Sequence, residues 1–136
     1  MKELTIEAKI ENLDEVLSFV DEQLEVHDCL PKIQMQLDVA VEEIFVNIAH
    51  YAYKPETGSA TIRVEFVEEP SAVIITFIDG GKPYDPLARK DPDITLSAEE
   101  RQIGGLGIYL VKKTMDDVIY NYKDGKNILT IKKTLI

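Results

Sequence analysis

The segment Gln36–Tyr53, QLDVAVEEIFVNIAHYAY, decides how the rest of the chain is read. Its apolar residues, Leu37, Val39, Ala40, Val41, Ile44, Phe45, Val46, Ile48 and Ala49, space as one helix. A helix this apolar belongs largely inside a core. Glu43 and Asn47 break the pattern. Their i,i+4 spacing puts both on one face, and a buried carboxylate or amide is costly unless something pairs with it. Either that face lines a polar cavity, or the two side chains satisfy each other at a helix edge. In a cavity, Glu43 could serve as a general base toward a hydroxyl, and Asn47 could offer its amide oxygen to Mg²⁺. The plainer reading is an ordinary i,i+4 polar pair.

Working outward, Leu4 to Ile10 alternates like a half-buried strand. Asn12 with Glu15 reads as a capping box. It opens a first helix on Leu13, Val16, Leu17, Val20 and Leu24, ending near His27. Pro31 suits the first turn of the opening helix, and Pro55 and Gly58 close it. Ala60–Val67 and Ala72–Ile78 read as an antiparallel hairpin, with the second strand the more fully covered. The stretch 79–107 is irregular and holds five of the seven glycines. A loop that long in a small domain usually carries function. Leu106–Met115 returns to helix. Asp116–Tyr122 and Lys126–Thr134 are strands around the turn Lys123-Asp124-Gly125. This order predicts an α+β two-layer sandwich, with a mixed, mostly antiparallel sheet covered on one face by about three helices.

At 136 residues the chain suits one domain, residues 1–136. A net charge of −10 argues against nucleic acid or an anionic membrane surface as the main partner. One cysteine, Cys29, cannot form an internal disulfide, which fits a reducing cytoplasm. The N-terminus is not an apolar run and no stretch approaches a membrane span, so neither a signal peptide nor a membrane helix is expected.

Three further features bear on chemistry. Asp79-Gly80-Gly81-Lys82-Pro83-Tyr84-Asp85-Pro86 follows an apolar strand directly. It reads as a plain turn, or as a carboxylate that accepts a ligand's amino group, with Gly81 allowing close approach. Gly104-Gly105-Leu106-Gly107 leads into a helix whose exposed N–H groups suit phosphate. It is neither a Walker A loop nor a dinucleotide fingerprint. Between the glycine clusters, Arg89 and Lys90 read as solvated, while Arg101, three residues before the glycines, could reach a phosphate when the loop closes.

The order of these features resembles the GHKL (Bergerat-fold) ATPases, and within them the bacterial anti-sigma-factor serine kinases of the RsbW type. Glu43-Ile44-Phe45-Val46-Asn47 is similar to the family's N box, Asp79 to Pro86 to its G1 box, and Gly104 to Gly107 to its G2 box. The segment YLVKKTMDDVIY is similar to the helix and strand that follow. The resemblance implies a Bergerat-fold ATP- and Mg²⁺-binding serine/threonine protein kinase. Glu43 would be the catalytic base and Asn47 the Mg²⁺ ligand. Asp79 would meet the adenine amino group, beside Gly81 and Pro83 of the same box. Gly104, Gly105, Leu106 and Gly107 would hold phosphates with help from Arg101. Histidine-kinase domains usually carry asparagine where Glu43 stands, so the acid points to a protein hydroxyl as acceptor. By the same resemblance the substrate is a small STAS-type anti-anti-sigma protein, a sigma factor is held inhibited, and a homodimer is a further implication. A non-catalytic ATP-binding module that sequesters a partner is the alternative, and a scaffold without ATP affinity a third reading. Two departures stand out. Tyr51-Ala52-Tyr53 replaces His-Ala-Tyr, and Ile103-Gly104-Gly105 replaces an arginine-bearing G2 start.

Overall fold

The computed structural model describes residues 1–53, 56–68, 71–88 and 105–135. Strand β1 (Lys2–Glu7) leads through a 3₁₀ turn at Ile10–Asn12 into helices α1 (Leu13–Val26) and α2 (Pro31–Asn47). A π-helical segment, Ile48–Ala52, continues α2. Strands β2 (Ser59–Val67) and β3 (Ala72–Asp79) follow, then α3 (Gly105–Thr114) and the strands β4 (Asp117–Lys123) and β5 (Lys126–Thr134). The sheet order is β1-β2-β3-β5-β4.

The α+β sandwich expected from the pattern is what forms. Where that pattern allowed a mixed sheet, all four pairings are antiparallel. The reason lies in the one connection that could have made a parallel pair. The route β3–α3–β4 is a crossover, but β5 folds back from β4 and inserts between them. That fold-back is a two-residue hairpin at Asp124 and Gly125, both with positive φ (53° and 76°), the geometry that matches strand twist.

Alternation sorts the sheet's two faces. Ala60, Ile62 and Val64 of β2, Val73, Ile75 and Phe77 of β3, and Leu129 and Ile131 of β5 are buried. They meet Val16, Val20 and Leu24 of α1 and Leu37, Val41, Ile44 and Phe45 of α2 in one cluster. The opposite face carries polar pairs such as Thr5–Thr61 and Glu3–Arg63. Among the described residues, no helix is long and apolar enough to cross a membrane.

Two local expectations change. Strand β1 stops at Glu7 rather than Ile10, because the Glu7 carbonyl accepts from Lys9 N (2.9 Å) and from Asn12 Nδ2 (2.9 Å) and turns the chain. Asn12 therefore precedes α1 without a side-chain cap bond. The opening helix is also not regular to Tyr53. It is α-helical to Asn47 and π-helical from Ile48.

Candidate functional site

The site is built where α2, the ends of β3 and β5, and the start of α3 come together. Helix α2 buries Leu37, Ala40, Val41, Ile44 and Phe45. This turns Glu43 and Asn47 away from the sheet centre, toward α3. Asn47 Nδ2 donates to Glu43 Oε1 at 3.4 Å, a long bond. Burial raises the Glu43 carboxyl above its ordinary range. The Asn47 bond opposes the rise, and the neighbouring Glu42 charge adds to it. With its nitrogen used on Glu43, Asn47 keeps its amide oxygen for another partner.

Across the cleft, Asp79 ends β3 on the same inward face as Phe77 and is only 6% exposed. Its Oδ1 accepts from Gly81 N (2.9 Å) and from Asn127 Nδ2 (2.9 Å). Strand register explains the second bond, since Asn127 on β5 pairs directly opposite Asp79. The π segment braces the same turn. Ala52 O accepts from Lys82 N (3.0 Å). The Tyr53 hydroxyl accepts from Gly80 N (2.7 Å) and donates to Ser59 O (2.6 Å). A π turn adds a residue to the helix, and such turns recur at functional sites.

Between these walls lies a solvent-connected cleft. Ile44, Ile48, Phe77, Ile108 and Leu129 supply apolar surface, while Asn47, Asp79, Lys82, Tyr120 and Asn127 supply the polar groups. Tyr51 and Tyr84 stack at its rim with centroids 6.2 Å apart and planes 27° apart. An apolar slot with one carboxylate edge suits a flat ligand that carries a hydrogen-bond donor.

At the other end, the first turn of α3 lies against Glu43. A Cβ on Gly107 would fall 2.0 Å from Glu43 Cδ, so any side chain here would displace that carboxylate. Gly105 and Leu106 begin the same helix. The glycine of the Asp79 turn also has a packing reason. A Cβ on Gly81 would sit 2.2 Å from Ala52 O, a backbone atom of the π segment.

Of the residues singled out from sequence, Asn47 and Asp79 line the cleft and Glu43 is hydrogen-bonded to Asn47. Gly107 abuts Glu43. Gly81 and Pro83 lie in the turn beside the cleft rather than in its wall. Arg101 and Gly104 fall outside the described residues. Sequence reading missed Tyr51, Tyr84, Tyr120 and Asn127. Asn127 left a signal, being a polar residue in phase with Leu129 and Ile131 on the apolar face of β5. Among the described residues, no three His, Cys, Asp or Glu side chains group closely enough to hold a metal ion by themselves.

Comparison with known proteins gives a consistent outcome. The family described as "Histidine kinase-like ATPase domain" matches residues 6–133. The chain is 33% identical over 101 residues to the serine-protein kinase RsbW of Listeria monocytogenes, covering 71% of this chain and 63% of that protein. It is 28% identical over 100 residues to the serine/threonine-protein kinase BtrW of Bordetella bronchiseptica, covering 74% of this chain and 70% of the relative. Among solved structures, the SiaB-SiaC complex from Pseudomonas aeruginosa aligns with a TM-score of 0.58 at 15% identity, over 96% of this chain and 88% of the other. The histidine kinase domain of a blue-light activated kinase from Erythrobacter litoralis aligns at 0.50 and 16% identity, over 76% of this chain and 45% of the other. These likenesses at low identity bear on the fold alone. The chain spans 63% of the length of the Listeria relative.

Proposed function

The chain belongs to the histidine kinase-like ATPase family, and on that premise we propose that it is an ATP-dependent serine/threonine protein kinase of the anti-sigma type, whose substrate is a small STAS-type antagonist protein. The observation that supports this most is that Asp79 and Asn47 line one cleft, with Glu43 hydrogen-bonded to Asn47. An apolar slot with a carboxylate edge stands at one end, and an acid beside an amide stands at the other.

The residues divide the work. Asp79 accepts the adenine amino group, and Ile44, Ile108 and Leu129 offer flat apolar contact. The donor set fits Mg²⁺, since Asn47 keeps a free amide oxygen, the ligand type this ion takes; bound there with phosphates, it would neutralise charge during transfer. Backbone N–H groups at the start of α3, from Gly105 to Gly107, stand at a helix N-terminus and suit phosphate oxygens. Gly104 and Arg101 would extend that seat. Glu43 takes the proton of the acceptor serine. Its raised pKa gives it more basicity than an exposed glutamate. The relatives' names support the serine chemistry; a sigma factor as second partner and a homodimer belong to the same proposal.

Two measurements test it. Titration with Mg–ATP should show binding that Asp79→Asn weakens; unchanged affinity would remove the adenine role. Labelled phosphate should pass from ATP to a STAS-type partner and stop in Glu43→Ala. Binding without any transfer would leave a module that sequesters its partner instead.

A further inference from the structure

Asp79 and Asn127 are the two buried polar residues of the described core, each 6% exposed, and they face each other across the β3–β5 ladder. Asn127 uses all its capacity. Its Nδ2 donates to Asp79 Oδ1 (2.9 Å) and to Lys82 O (2.9 Å), with Gly81 O at 3.5 Å. Its Oδ1 accepts from Tyr84 N (3.1 Å) and from the Tyr120 hydroxyl. Backbone partners force this orientation, because Lys82 O can only accept and Tyr84 N can only donate. Asp79 Oδ1 is then held by two donors, Asn127 Nδ2 and Gly81 N. Among the described residues, none donates to Oδ2. A carboxylate pinned through one oxygen presents the other in a fixed direction, and buried networks of this kind are rigid when every member is satisfied.

We infer that Asn127 is the positioning residue for base selection: it locks Asp79 through Oδ1 and the turn through Lys82 O and Tyr84 N, so that the site tells a purine with an exocyclic amine from one without. This rests on the proposed role of Asp79 toward adenine. A rigid acceptor left unpaired by the wrong ligand discriminates strongly, whereas one free to rotate toward water does not.

The test compares Mg–ATP with the Mg complex of purine riboside triphosphate, which lacks the 6-amino group, by calorimetric titration. Wild type should prefer ATP by about tenfold or more, the scale of a buried hydrogen bond. Asn127→Leu should reduce that preference to about threefold or less by weakening ATP while leaving the analogue's affinity nearly unchanged. A merely structural role would weaken both ligands alike. Asn127→Asp is the second variant, for use if the leucine variant does not fold. It cannot donate when ionised, so its preference for ATP should be lost at pH 8 and return toward pH 6 as the two carboxyls share a proton. Wild type should stay flat over the same range. Full preference in Asn127→Leu, or a pH-independent wild-type-like preference in Asn127→Asp, overturns the inference. Asp79→Asn separates the two levels. Loss of preference there with retention in the Asn127 variants sinks only the role of Asn127, while retained preference in Asp79→Asn sinks the adenine reading and this inference with it.

Discussion

Glu43 is the residue on which activity should turn. Its carboxyl is raised first by burial, then moderated by Asn47 and pushed up again by Glu42. As a base it must be ionised, so phosphoryl transfer should fall on acidification, with the acid limb above the ordinary glutamate range. Glu43→Gln keeps the size and can still accept from Asn47 Nδ2. It should cut transfer by about 10²–10⁴-fold, the usual worth of general-base catalysis, while Mg–ATP affinity changes by less than about threefold. Single-turnover rates against pH check both statements. If the acid limb persists unchanged in Glu43→Gln, another group titrates. This residue and Asn47 were legible in sequence because polar side chains at i,i+4 spacing stand out in an apolar helix. Their choice between pairing and lining a cleft was not legible. Both occur, since a 3.4 Å bond links them and Asn47 still reaches the cleft wall.

At the scale of elements, the two glycines of the site should respond differently to the same change. Gly81→Ala brings its Cβ to 2.2 Å from Ala52 O, a backbone atom of the π segment. The turn or the segment must shift, and a loss of about 1–3 kcal/mol is expected from such overpacking. Nucleotide affinity should fall with it. Gly107→Ala instead meets the Glu43 carboxylate, the end of a flexible side chain. Glu43 can swing away, and alanine favours a helix by about 1 kcal/mol over glycine. Stability should therefore hold or rise while transfer collapses. Urea unfolding and transfer assays on the two variants separate these outcomes; a destabilised Gly107→Ala protein would show that α3 cannot yield even at a side chain. The elements themselves were largely legible, because periods of 2 and 3.6 are local properties. What escaped depends on distant pairing. The π turn after Asn47 is braced by Lys82 N and Gly80 N from the β3 turn. Asn127 meets Asp79 only through the β3–β5 register, 48 residues away. Asn12 had the residue type of a cap, but the Glu7 carbonyl competed for its amide.

For the whole molecule, acidity shapes stability. The chain carries a net charge of −10, and such a charge opposes compaction. One carboxyl concentrates the effect. Asp38 of α2 faces Asp21 and Glu25 of α1, and its Oδ1 is buried without a hydrogen-bond partner. Burial pushes its pKa up to about 7, with further contributions from the hydrogen bond to Asp21 and from the charges of Asp21 and Glu25. Gln34 Nε2 is committed to Asp21 (3.0 Å) and gives Asp38 no relief. The Cys29 thiol is itself raised, by burial and then by the Asp38 charge. Between the unfolded value of about 3.9 and the folded value near 7, the native state binds a proton that the unfolded chain does not. Stability should thus rise as pH falls from about 8 toward 5, opposite to a salt-bridged carboxylate. Reduced self-repulsion acts in the same direction, so the two must be separated. Asp38→Asn removes the local part only. It should stabilise the protein at pH 8 by on the order of 1 kcal/mol, a figure discounted for partial exposure, and flatten the slope between pH 8 and 5.5. What slope remains should shrink in 1 M salt, which screens long-range repulsion but acts less on a buried group. Urea unfolding of both proteins at two pH values and two salt concentrations decides it. An Asp38→Asn protein with the wild-type slope would assign the pH response to net charge alone.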